Sequence, residues 1–286
     1  MTTPKIIVSL TTSPSRLPLI AETLLSILRQ NPTEVVLNIP SVFLRTNERY
    51  ITAGAFRELM VKTNKEIVDY MEAGVLTWND CEEDVGPITK LTPILNRIPF
   101  EEDCWILTID DDIRYLDGTI DLYRDTILKR IKDGEKVAMG MTGFRFMNNL
   151  IYAVEVNDYV EILEGYGSVC YHRSFFPNRS WSHYVKLIIK ESCCKFSDDL
   201  VISNWLALNN IKRLLVSAPW VNRRMLWTNK CILGYGNQKD ALHNGGAGIV
   251  TTKRDYKDSN VERYQNAKRY LFDNKLLSKE LSAGFK

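Results

Sequence analysis

Three adjacent carboxylates, Asp110-Asp111-Asp112, follow the apolar run Trp105-Ile106-Leu107-Thr108-Ile109. Carboxylates this close repel one another, and a cation relieves the repulsion. In an extended segment Asp110 and Asp112 point to the same side. The two can therefore share a hard divalent ion, Mg²⁺ or Mn²⁺, with phosphate oxygens filling its other positions. An acidic turn or a helix N-cap would use the same residues, since Asp favours both. The strand ahead of the triplet weighs toward the cation, because ligands of open α/β sheets sit beyond the carboxyl ends of the strands.

A second acidic pair, Asp198-Asp199, opens the apolar stretch Leu200, Val201, Trp205, Leu206 and Leu208. Ser197 or Asp198 reads as the helix cap and dipole partner. A second carboxylate beside the cap has the form of a general base that takes a proton from an acceptor hydroxyl. His243 lies in the Gly-rich run Leu242-His243-Asn244-Gly245-Gly246. It reads either as a solvated imidazole or as a metal ligand on a loop that closes over a site. Thr11, Thr12 and Arg16 follow the first strand, a usual place for nucleotide contacts, although the glycines of GxGxxG are absent. Lys90 ends the turn from Glu82 and is placed either to meet a phosphate or to be solvated. The motifs GxSxG, HExxH and the P-loop GKS or GKT are missing, which removes those classes.

These groups need elements to position them. Ile6 to Leu10 reads as a buried strand. Leu17, Ile20, Leu24, Ile27 and Leu28 recur every three or four residues, one face of a helix that Asn31-Pro32 stops. Val35 to Ile39 is a second strand, so strand, helix and strand open a parallel α/β layer. A helix over 64–73 ending at Gly74, a strand from Val75 to Trp78 and a short helix from Lys90 to Asn96 interrupted by Pro93 follow. After Trp105 to Ile109 comes an amphipathic helix from Thr119 to Lys132. Further strands are predicted at Val137 to Met141, Leu150 to Val156, Ser168 to Tyr171 and Arg213 to Ser217. Helices are predicted at Ser182 to Lys190 and Asp198 to Asn209, a flexible loop at Asn237 to Gly248 and a charged helical tail at Val261 to Leu277. No long linker divides the chain, so a single compact domain is expected.

The composition narrows the partners. The 286 residues carry 37 Lys and Arg against 35 Asp and Glu, a net charge of +2, too weak a basic field for a general nucleic-acid binder. A hydrophobic share of 45% with 25% charged residues is that of a globular chain and excludes wholesale disorder. The apolar runs are strand-length, short of the roughly 20 residues of a membrane span. The six cysteines have no CxxC spacing, which disfavours a zinc knuckle. With no secretory signal in the sequence, they read as reduced thiols of a cytoplasmic protein.

Taken in order, Ser9 to Thr12, Asp84 to Lys90, Asp110 to Asp112, Gly165-Tyr166-Gly167-Ser168, Asp198-Asp199 and His243 resemble the motif set of GT-A fold nucleotide-sugar-dependent glycosyltransferases. The resemblance is to the small soluble enzymes of bacteria and large DNA viruses that decorate surface or capsid glycans. It runs from about residue 5 to about residue 250. It implies a Rossmann-like GT-A fold: a mixed, mostly parallel central sheet flanked by helices. It implies a nucleotide-sugar-binding half over 1–112, and an acceptor-binding and catalytic half with a helical tail over 113–286. Asp112 would be the first ligand of Mn²⁺ or Mg²⁺, with Asp110 and His243 beside it, and the DxD acids Asp110 and Asp111 would also reach the ribose. Thr11, Arg16 and Lys90 would take the nucleotide side, and a loop of Gly165, Tyr166 and Gly167 would line the donor sugar and acceptor. Asp199 would be the base of an inverting enzyme with Asp198 beside it. The family's usual first residue of that pair is Glu, which leaves open which aspartate is the base. The implied partners are a UDP-, GDP- or dTDP-linked sugar and a glycan or glycoprotein acceptor, met in the cytoplasm, or in the host cytoplasm for a viral source. A retaining enzyme of the same fold, a sugar-phosphate nucleotidyltransferase and a non-catalytic carbohydrate module are the alternatives. The absence of glycine between Thr11 and Arg16 disfavours the nucleotidyltransferase, and the Asp198-Asp199 pair disfavours retention.

Overall fold

The computed structural model describes residues 3–146, 150–152, 158–216 and 260–282. In chain order the first elements are β1 (Ile6–Leu10), α1 (Ala21–Leu28), β2 (Glu34–Pro40), β3 (Val42–Phe43) and β4 (Glu48–Arg49). Then come α2 (Ala53–Thr63), α3 (Lys65–Glu72), β5 (Leu76–Cys81), α4 (Thr92–Arg97), β6 (Trp105–Ile109) and α5 (Thr119–Lys132). The later elements are β7 (Val137–Phe146), β8 (Leu150–Tyr152), β9 (Ile162–His172), α6 (Asn178–Ile188), α7 (Ser192–Lys195), α8 (Asp198–Leu208), β10 (Lys212–Leu215) and α9 (Asn260–Asp273).

The main sheet runs β10-β7-β9-β6-β1-β2-β5, with β8 paired to β7. Strands β6, β1, β2 and β5 are mutually parallel, and β10 is parallel to β7. Strand β9 runs antiparallel to both of its neighbours. The sheet is therefore mixed and mostly parallel with flanking helices, as the resemblance implies. Strands β1 and β6 are buried along their whole length, which is why they read as continuous apolar runs rather than alternating ones. Leu24, Ile27 and Leu28 of α1 are likewise buried. The expected two halves share this one sheet: β6 ends before residue 112, β9 lies beyond it, and the two are paired.

Several elements differ from the sequence reading. Pro93 sits in the first turn of α4 and starts that helix rather than interrupting it, because its missing N–H is no loss there. The residues before it, Gly86–Lys90, form a separate 3-10 turn. Helix α2 and the hairpin β3–β4 carry too few apolar residues to stand out by periodicity; α2 buries only Phe56 and Met60. The loop expected at Gly165 to Gly167 lies inside β9. Between the pairs Gly140↔Val169 and Thr142↔Glu164 the register shifts, so that one residue of β7 faces four of β9, and Gly167 takes φ +84°. Glycine tolerates that conformation, and the result is a bulge that turns β9 toward the end of β6.

Candidate active site

The acid triplet follows the buried strand β6, whose last residue, Ile109, pairs with Ser168 of β9. That register sets the β9 bulge beside the triplet. The Gly167 N–H donates to Asp110 Oδ2 at 3.1 Å, and the Tyr115 hydroxyl donates to the Gly167 carbonyl. From the other side comes Lys90, the last residue of the 3-10 turn, anchored to β1 by Ser9 Oγ donating to the Lys90 carbonyl at 2.6 Å. Its Nζ stands 3.3 Å from Asp110 Oδ1, 3.5 Å from Asp198 Oδ2 and 3.4 Å from the Gly165 carbonyl. One ammonium thus joins the triplet, the β9 bulge and the pair at the start of α8. Burial opposes the charge on Lys90, but Asp110, Asp198 and Asp199 outweigh it and hold the ammonium well above the ordinary lysine range.

Gly165 is the tightest point of this cluster. A side chain there would place its Cβ 2.7 Å from Lys90 Nζ and 2.9 Å from Asp199 Oδ1. Its backbone serves both neighbours: the carbonyl accepts from Lys90 and the N–H donates to Asp199 Oδ1 at 2.5 Å. The other oxygen of Asp199 accepts from the Tyr264 hydroxyl at 2.7 Å. Burial, and then the neighbouring Asp198 charge, push the Asp199 carboxyl up to about 7, against the pull of Lys90, Tyr264 and Gly165. A carboxylate that titrates near neutrality suits a proton acceptor. Ser197 stands at the N-cap of α8 without a side-chain capping bond, so the helix start is left to Asp198 and Asp199.

On the nucleotide side, Arg16 Nη1 meets Asp111 Oδ1 at 2.8 Å and Asp112 Oδ2 at 3.5 Å. Thr12 donates to the second Asp111 oxygen at 2.5 Å. Asp111 is therefore clamped by this chain's own donors. Thr11 lines the same cleft but gives its hydroxyl hydrogen to the Asn38 carbonyl at 2.8 Å. The cleft runs from Thr11, Thr12 and Arg16 past Asp84 and Lys90 to Asp110 and Asp111. Its far wall is the β3–β4 hairpin, which supplies Phe43, Arg45 and Tyr50. Asp84 ties that hairpin to the turn by accepting from Leu44 N and Gly86 N, both at 2.8 Å.

Burial, together with Asp111 and Asp110, pushes Asp112 up to about 7, against the pull of Arg16. Among the described residues no group of three or more His, Cys, Asp or Glu is arranged to hold a metal. His243 lies outside the described residues. A Mg²⁺-like ion is commonly held by one or two carboxylates and completed by substrate phosphates and water. Asp112, with Asp110 near it, would be those carboxylates.

Sequence reasoning missed three contributors. Tyr50 donates to the Thr12 carbonyl at 2.6 Å and seats the hairpin on the first loop. Glu164, beside the Gly-Tyr-Gly run, is pushed up to about 8 by burial and by Asp199. Tyr264 comes from the tail, where only the helical period was legible. Tyr166, within the Gly-Tyr-Gly run, is about half exposed (51%).

No family model and no curated protein matches the chain. It is similar to solved structures at low identity. One is Staphylococcus aureus TarS 1–349, with 14% identity and a TM-score of 0.42 over 74% of this chain and 58% of that one. Another is GalNAc-T7 with UDP, GalNAc and Mn²⁺, with 10% identity and a TM-score of 0.45 over 96% of this chain and 55% of that one. A third is 4-diphosphocytidyl-2C-methyl-D-erythritol synthase from Anaerococcus prevotii, with 14% identity and a TM-score of 0.42 over 77% and 91%. The chain spans little more than half the length of the first two. At these values the likeness is one of broad backbone arrangement.

Proposed function

We propose that the chain is a metal-dependent, inverting glycosyltransferase that moves a sugar from a nucleotide-diphosphate sugar to a hydroxyl of a glycan acceptor. The observation that carries this reading is Lys90, which sits between Asp110 of the triplet and Asp198 of the α8 pair. Through it a cleft suited to a diphosphate adjoins a carboxylate suited to accept a proton. Thr11, Thr12, Arg16 and the β3–β4 hairpin would hold the nucleotide, and Gly165 to Gly167 would border the donor sugar and the acceptor. Asp112 and Asp110 would hold Mn²⁺ or Mg²⁺, which when bound neutralises the diphosphate as it departs. Asp199 takes the acceptor hydroxyl proton while that oxygen bonds to the anomeric carbon. The bond from that carbon to the diphosphate oxygen breaks, and its electron pair leaves with the diphosphate. Attack from the opposite face inverts the configuration. Lys90 and Arg16 add positive charge on the leaving side.

The test begins with a screen of nucleotide sugars for Mn²⁺-dependent thermal stabilisation, since donor binding raises the melting point by mass action. The donor that binds is then supplied with candidate glycans, and the anomeric configuration of the product is read by NMR. Asp199→Asn is expected to abolish transfer and keep donor binding. Full transfer by that variant would remove Asp199 from the role. Turnover of a sugar phosphate with a nucleoside triphosphate would replace the reading with a nucleotidyltransferase.

A further inference from the structure

The C-terminal helix α9 has no role in the motif set, yet it is built into the site. Ala267 and Leu271 on it are fully buried, and the Tyr270 hydroxyl donates to the Leu187 carbonyl at 3.2 Å. The chain that follows α9 is pinned to α8: Asn204 Nδ2 donates to the Leu276 carbonyl at 2.8 Å, and the Ser278 N–H donates to Asn204 Oδ1 at 2.8 Å. Helix α8 is the helix that begins at Asp198 and Asp199. On this docked helix Tyr264 is buried, packs against the Phe144 ring and donates to Asp199 Oδ2. Gly165 N–H from β9 holds the other oxygen. Two donors from opposite sides fix the plane of the carboxylate, and each oxygen keeps a further lone pair for an incoming hydroxyl.

We propose that Tyr264 is the positioning residue for Asp199, which makes α9 a working wall of the site and not an appendage. The proposal rests on the transferase reading for its consequence in turnover, but not for the contact itself. The groups that face Asp199 are Asp198 beside it on α8, Lys90 from the turn before α4, Glu164 and Tyr171 from β9, and Tyr264 from α9. A phenol O–H bonded to a carboxylate stabilises its ionised form, so removing the hydroxyl raises the titration midpoint.

The test uses the full chain. The Asp199 carboxyl carbon is followed by ¹³C NMR against pH, its signal identified by its loss in Asp199→Asn. In Tyr264→Phe, which keeps the ring against Phe144, the midpoint is expected to rise by about one unit, and 3-fluorotyrosine at position 264, a stronger donor, is expected to lower it. Below the midpoint a one-unit rise removes about nine-tenths of the ionised carboxylate. Transfer by Tyr264→Phe should therefore fall about tenfold at pH 6 and recover toward wild type at pH 9, with donor KM unchanged. An Asp199 titration that neither substitution moves overturns the proposal, whatever the enzyme does. A moved titration in a protein that turns over no nucleotide sugar supports the Tyr264–Asp199 pairing and overturns the transferase reading instead.

Discussion

Lys90 and Asp198 form a buried ion pair, with Nζ 3.5 Å from Oδ2, that ties the turn after β5 to the start of α8. The same ammonium meets Asp110 at 3.3 Å. Two carboxylates from distant parts of the chain are held together by one cation, and each would lack a counter-charge without it. This makes Lys90 a structural keystone as well as a source of positive charge for a diphosphate.

Removing that cation should therefore cost stability. Lys90→Met keeps much of the side-chain volume but strands Asp110 and Asp198 in a buried site. Breaking a buried pair by deleting one partner typically costs about 3–5 kcal/mol. Urea denaturation of the variant should show a loss on that scale, and Lys90→Met combined with Asp198→Asn should lose less than the sum of the two single changes. Strict additivity of the two would mean that the pair contributes no coupling.

Gly165→Ala should lower stability and function together. Its Cβ would stand 2.7 Å from Lys90 Nζ, 2.9 Å from Asp199 Oδ1 and 3.4 Å from Asp198 Oδ2. Relieving that crowding moves Lys90 Nζ away from Asp110 and Asp198, so the stability loss should approach the roughly 3–5 kcal/mol of a broken buried pair. Asp199 is displaced as well, and transfer should fall at least about tenfold, a barrier increase of roughly 1.4 kcal/mol. Wild-type turnover with an unchanged melting point would show that the close approach at Gly165 has no function.

The sequence revealed the parts of this site that local pattern encodes. Strand β6 is five buried residues in a row, and the acid triplet begins directly after it, so its position was legible. Asp198 and Asp199 were legible for the same reason, as acids in the first turn of an apolar helix. The β9 bulge was not, because Gly165 and Gly167 punctuate the strand and read locally as a loop. Tyr264 was not legible either. A helical period marks the tail, but the meeting of one of its faces with Asp199, 65 residues earlier, is decided by tertiary packing. The aromatic wall from the β3–β4 hairpin escaped notice because two-residue strands have no period to detect.

Asp112 and Asp111 should part company under mutation. Asp112 is the under-compensated acid, whereas Asp111 is clamped by Arg16 and Thr12. Asp112→Ala should weaken Mn²⁺-dependent donor binding by tenfold or more, roughly 1.4 kcal/mol, with little change in melting point. Asp111→Ala frees Arg16 and Thr12, so it should lower the melting point even without metal. Calorimetric titrations with and without Mn²⁺, alongside thermal melts, check both. An unchanged Mn²⁺-dependent titration in Asp112→Ala would remove Asp112 as a ligand.

Glu164 gives a pH dependence with a definite sign. In the folded chain burial, with Asp199 adding, pushes its carboxyl up from an ordinary 4.5 to about 8. Between those values the native state keeps a proton that the unfolded state has lost. Stability therefore falls as pH rises from about 4.5 through about 8, and the full cost of the buried charge is present above that. Glu164→Gln mimics the protonated carboxyl at every pH. Near pH 4.5, where Glu164 is largely protonated in the native state, its melting point should match wild type. At pH 9 it should exceed wild type, and the gap should open between about 4.5 and 8. Melting curves that stay parallel across that range would mean that Glu164 is solvated and titrates like an ordinary glutamate.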